Sequence, residues 1–144
     1  MTKYLFKKRI INNNEVSILK SFIYVILWTL LFTSFGFYVN KEIYQFTDMY
    51  TSKIEIIEKH IENDDFELAK ESLISFSKSW HKDRSLWYKI LNHDNFDAIC
   101  LYLNILEKSI NVNDKSKAFE YIVRIKTTLD NILESENFDL NHIM

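Results

Sequence analysis

His93 and Asp97 stand four residues apart, so on a continuous helix an imidazole and a carboxylate share one face. That is the spacing of a metal-binding pair, or of a general base beside the acid that orients it. Two ligands do not make a metal site. The pair is therefore read as a core histidine whose ring nitrogens bond Asp97 or a neighbouring helix. A hydrolase built on it would require both groups exposed in one cleft within hydrogen-bond reach. Trp80 and Trp87 are seven residues apart, two turns along one helix face, where indoles either stack on a sugar, line a partner groove or fill a core. Cys100 is the sole cysteine, which excludes an intramolecular disulfide and leaves too few thiolates for zinc; it is expected in the core. Glu62, Asp64, Asp65 and Glu67 carry the charge to attract calcium but lack the glycine turn and ligand alternation of an EF-hand. They are expected to form a solvated loop with helix caps. His60, His81 and His142 are isolated and expected at the surface. With no glycine-rich loop, no Gly-x-Ser-x-Gly and no paired cysteines, no catalytic residue, cofactor or metal is expected, and no enzyme.

The elements that position these residues follow from composition. In 144 residues there is no proline and one glycine, Gly36, while 47% of residues are hydrophobic, 15% aromatic and 26% charged. Such a chain is expected to be all-α, with turns marked by Asn and Asp in place of Gly and Pro. Ile43, Phe46, Tyr50, Ile54, Ile57 and Ile61 step by three or four and predict a helix over about 41–62, which is able to continue the apolar run before it without a joint. Phe66, Ala69, Leu73, Phe76 and Trp80 form the next stripe after the capping residues Asn63, Asp64 and Asp65. A third helix is expected over about 83–110, apolar on two sides and so packed in the middle. One face holds Leu86, Ile90, His93, Phe96, Cys100, Leu103, Leu106 and Ile110, the other Trp87, Leu91, Ala98, Tyr102 and Ile105. A fourth opens after Asn113 and Asp114 and runs through Ala118, Ile122, Ile125, Leu129 and Ile132 to about Ser135.

The two capped turns are alike. Asp65-x-x-x-Ala69-x-Glu71-x-Leu73 matches Asp114-x-x-x-Ala118-x-Glu120-x-Ile122 at an offset of 49 residues. An acidic cap starts the second helix of a hairpin, and a small Ala one turn on lets the first helix approach. The offset differs from the roughly 34-residue period of tetratricopeptide arrays, and two copies are fewer than a solenoid needs. Two helical hairpins in a small antiparallel bundle are expected.

Charge divides the chain. Residues 1–20 carry Lys3, Lys7, Lys8, Arg9 and Lys20 against Glu15, whereas residues 40–144 hold 13 basic and 19 acidic side chains. Between them, residues 21–39 contain no charge. As a helix these rise roughly 28 Å, close to the ~30 Å hydrocarbon thickness of a bilayer. Apolar residues surround every side, and Tyr24 and Tyr38 fall where headgroups would lie. The expectation is a basic cytoplasmic segment at 1–20, a transmembrane helix at 21–39 and an extracytoplasmic domain at 40–144. Lys7, Lys8 and Arg9 orient it by the positive-inside rule. Ser34, Phe35 and Gly36 also fit a signal-peptide cut, but the 20-residue leader and long apolar run fit an uncleaved anchor better. The acidic exported part excludes nucleic acid as a partner.

Trp80-x6-Trp87-x5-His93, followed by Ile99, Leu103 and the terminal Asn141-His142-Ile143, resembles a family of small single-span helical proteins of clostridial and other low-GC Gram-positive bacteria. That family is catalogued only as a domain of unknown function. The resemblance runs from the membrane segment to the end of the chain. It implies an anchored domain outside the membrane, sometimes encoded beside a multi-pass membrane protein, and supplies no reaction or ligand. Where the family pattern has His-x-Glu-Ile-Asp, this chain has His93-Asp94-Asn95-Phe96-Asp97, and loss of the middle carboxylate weakens a metal role.

Two functions are expected from these readings. The first is a membrane-tethered interaction module binding another membrane or envelope protein, a multi-pass protein or a second copy of itself. The alternative is an extracytoplasmic sensor or small-ligand domain with a pocket near Trp80, Trp87 and His93, distinguished by a cavity of several hundred Å³ with convergent polar groups.

Overall fold

A computed structural model describes the backbone of residues 2–136 and the side chains of residues 19–134. The described residues are helical, with no strand: α1 (Thr2–Glu62), α2 (Phe66–Trp87), α3 (His93–Asn111) and α4 (Lys115–Glu136). The chain divides into two units, Met1–Lys41 and Glu42–Met144.

The described side chains of the first unit, from Leu19 onward, cover no core. Phe22, Trp28, Leu30, Leu31, Phe32, Phe35 and Phe37 are all exposed, Phe37 to 73%. The helix from Leu19 is long and apolar enough to cross a membrane. Its two threonine hydroxyls within the uncharged run bond back to the helix: Thr29 Oγ1 donates to Val25 O at 2.9 Å and Thr33 Oγ1 to Thr29 O at 2.8 Å. Returned to the helix's own carbonyls, these groups present methyls outward in place of unpaired polar atoms. Lys7, Lys8 and Arg9 fall within α1, their side chains outside the described residues.

The second unit has the core. The stripe Ile43, Phe46, Tyr50, Ile54, Ile57 and Ile61 is buried throughout, as are Ala69, Leu73, Phe76 and Trp80 on α2 and Ala118, Ile122, Ile125, Leu129 and Ile132 on α4. Phe66 is only half-buried. α3 packs against both α2 and α4. The final part of α1 reaches α2 and α4: Tyr50 bonds Asp83, Lys53 bonds Ser79, and Lys126 on α4 bonds Glu58.

The two like turns share their closing backbone bonds. Asp64 and Asn113 have φ of 59° and 53°, the left-handed region that terminates helices and usually takes Gly. With the chain nearly free of glycine, Asp and Asn fill it as the next most tolerant residues. Asp65 N donates to His60 O and Asp114 N to Ser109 O, each at 2.9 Å; Asp64 N donates to Ile61 O and Asn113 N to Ile110 O, each at 3.1 Å. Each aspartate then caps the next helix, Asp65 accepting from Leu68 N and Asp114 from Lys117 N. α2 and α4 are both 22 residues long, and the offset of 49 carries one onto the other. It also carries the buried Tyr50, Ile54, Ile57 and Ile61 onto the buried Ile99, Leu103, Leu106 and Ile110.

The expected boundary between second and third helices is corrected. α2 continues to Trp87, and the break lies at residues 88–92, where Asn92 accepts from Asp94 N and caps α3. Leu86 and Ile90, expected on the buried face, are 59% and 62% exposed because they belong to the end of α2 and the turn, off the face that α3 presents inward. That face is Phe96, Ile99, Leu103, Leu106 and Ile110.

Candidate functional site

The residues singled out by type and spacing sit around the α2–α3 turn, in three different environments. Trp80 is fully buried in an aromatic cluster. Its ring lies 5.6 Å from Phe96 and 6.2 Å from Phe76, both stacked, and meets Tyr50 edge-on at 4.9 Å. Aromatic pairs of this kind each add about 0.5–1.5 kcal/mol beyond area burial. The indole Nε1 has no hydrogen-bond partner among the described residues. Tyr50, also buried, donates its hydroxyl to Asp83 Oδ2 at 2.8 Å. Burial pushes this phenol well above the ordinary tyrosine range, and the Asp83 carboxylate adds to the rise.

Trp87 is half-buried at the edge of that cluster, its ring 6.0 Å from Phe46 at 51°, and Phe46 in turn lies 5.5 Å from Trp80. Trp87 lines a shallow open depression of about 310 Å³ with Glu42, Gln45, Phe46, Met49 and Asp83. Asp83 and Trp87 lie four apart on α2, and Glu42, Gln45, Phe46 and Met49 follow the same spacing on α1, so two helix faces close its sides. Of the three expected pocket residues, Trp87 alone lines this depression.

His93 is exposed, and this corrects the expectation of a core histidine bonded to Asp97. Its ring stacks on Tyr88 at 4.6 Å. No hydrogen bond joins His93 to Asp97 among the described residues; Tyr88 Oη donates to Asp97 Oδ2 at 3.2 Å instead. The i, i+4 geometry is present, but a tyrosine from the end of the preceding helix takes the carboxylate first. The hydrogen bond to Asp97, then its charge, raises the Tyr88 phenol. Arg84 completes the group, 3.8 Å from Asp97 Oδ1 and donating to Cys100 Sγ at 3.1 Å, while its guanidinium lies over the Tyr88 ring. Cys100 is half-buried rather than core. Together these side chains tie the end of α2 to the first two turns of α3.

The acidic stretch has a structural task. Asp64 pairs with Lys115 Nζ at 2.7 Å, and the same ammonium donates to Glu62 O at 2.9 Å, so the start of α4 is fastened to the first turn. Asp65 caps α2, and Glu67 is exposed. Among the described residues no group of three His, Cys, Asp or Glu side chains could hold a metal. His81 is exposed and His60 half-buried; Asn141, His142 and Ile143 lie outside the described residues.

Helices alone, with a duplicated capped turn and an aromatic end, define an all-α protein with one N-terminal helix apolar enough to cross a membrane. The chain belongs to the DUF4363 family, a domain of unknown function, matched over residues 37–143. The match begins near the end of the uncharged run, later than the resemblance drawn from the sequence, and so leaves residues 1–36 outside it. No curated protein and no solved structure matches the chain.

Sequence reasoning missed the partners of Trp87. Phe46 was visible as a core position, but Glu42 and Asp83 carry no signal until α1 and α2 are placed side by side.

Proposed function

We propose that the chain is a membrane-tethered interaction module. Residues 21–39 cross the bilayer with the N-terminus in the cytoplasm, and residues 40–144 stand outside as a bundle of two helical hairpins that binds another membrane or envelope protein. The observation that carries the reading is the uncovered apolar helix: Phe22, Trp28, Leu30, Phe32 and Phe35 are each 59–64% exposed, and its threonines are satisfied internally. Water is a poor solvent for such a surface, and lipid a good one. The basic cluster Lys7, Lys8 and Arg9 supports the orientation. Exposed Leu86 and Ile90 beside the α2–α3 turn support a contact surface on the exported part. Tethering holds both partners in two dimensions, so a weak interface is occupied.

A photo-crosslinking side chain at Ile90, in native membranes, tests the reading. An adduct with one membrane or envelope protein, or with a second copy, is expected. A protein that stays monomeric and yields no adduct there contradicts it.

A further inference from the structure

Among the described residues of the second unit four carboxylates are half-buried: Glu42, Glu58, Asp65 and Asp83. Two have evident tasks, Glu58 paired with Lys126 and Asp65 capping α2. Glu42 and Asp83 have no salt bridge among the described residues, although arginine and lysine side chains nearby are engaged elsewhere, Arg84 with Asp97 and Cys100 and Lys53 with Ser79. Both carboxylates line the open depression that also contains Trp87 and Phe46. Carboxylates that hold no ion pair are open to a cation seated beside them.

We propose that this depression binds an organic ammonium cation of tetramethylammonium size. The lining selects the chemistry. Trp87 is half-buried and rests on the buried Phe46 ring at 6.0 Å, so its indole is the aromatic surface left to a ligand, and indole is the best cation–π partner among side chains. A divalent metal is disfavoured, because it needs six or more oxygen ligands or a near-octahedral set, and rings supply none. A methylated ammonium places diffuse charge and apolar methyls against the Trp87 indole and Met49, while Glu42 and Asp83 neutralise it from two helices. Tyr50 fixes the Asp83 carboxylate by donating to Oδ2, so that group is oriented before any ligand arrives. The depression, about 310 Å³ and open to solvent, has room for a headgroup-sized cation. The inference does not rest on the tethered reading and can fail without it.

The test uses the full chain in uncharged maltoside micelles and follows the three indole N–H resonances by NMR during titration with tetramethylammonium chloride. Sodium chloride at equal ionic strength and tert-butanol serve as charge-only and apolar-only probes. The expected result is a saturable shift of the Trp87 resonance with tetramethylammonium alone, leaving Trp28 unmoved. Glu42→Gln together with Asp83→Asn should weaken binding by about tenfold, with Asn still able to accept from Tyr50. Should the double variant lose helicity, Glu42→Gln alone decides, with about threefold weakening expected. No saturable shift in the folded chain, an equal shift with either control probe, or unchanged affinity in the variants overturns the proposal.

Discussion

Tyr50 combines full burial, a charged acceptor and a raised phenol pKa, and so reports on the aromatic end of the core. Tyr50→Phe removes one hydrogen bond to a carboxylate and is expected to cost about 1–2 kcal/mol at neutral pH by denaturant unfolding. The sign of the pH dependence follows from the direction of the shift. A phenol whose folded pKa lies above its unfolded value of about 10 contributes stability below that pH and loses it as pH rises beyond. The stability difference between wild type and Tyr50→Phe should therefore shrink above pH about 10, and a constant difference would remove the buried-phenol account. Trp80→Ala should cost about 3–5 kcal/mol, since it empties the centre of the cluster. The burial of Trp80 was legible from the stripe it ends. The surroundings of His93 were not, because spacing puts Asp97 within reach but cannot show that Tyr88, from another helix end, takes that carboxylate.

Between elements, the duplicated turn makes a sharp demand on two backbone positions. Asn113, exposed with φ of 53°, should gain about 0.5–1 kcal/mol as Asn113→Gly and lose a similar amount as Asn113→Ala, read from thermal midpoints. A stabilising alanine would show that the left-handed conformation is absent in solution. This turn was readable from Asp65 and Asp114, each followed by Ala four residues later, because caps act locally and leave a local signature. The α2–α3 break at residues 88–92 left none: it holds no Gly, Pro or Asn-Asp pair, and apolar Leu86 and Ile90 imitate a buried stripe. Only the capping Asn92 marks the new helix, and one polar residue among many is a weak signal. The Trp87 depression was illegible for a related reason. Its carboxylates lie on helices 41 residues apart in sequence, and only packing brings Glu42 and Asp83 to one place.

At the scale of the whole molecule the decisive property is the solvent of residues 21–39. Hydropathy and absence of charge are sequence properties and were fully readable. The structure adds that the large apolar side chains of this run lie exposed, and that Thr29 and Thr33 return their hydroxyls to the helix. An arginine in the middle of the run, Leu30→Arg, carries an insertion cost of about 2.5–3.5 kcal/mol and should shift a measurable fraction of the protein out of the membrane. The most direct measurement is alkaline carbonate extraction of membranes carrying the full chain, with detergent extraction in parallel. Retention in the membrane pellet until detergent is added, with Leu30→Arg partly released by carbonate alone, is the predicted result. A full-length protein that enters the soluble fraction without detergent, folded and monodisperse, would contradict the account.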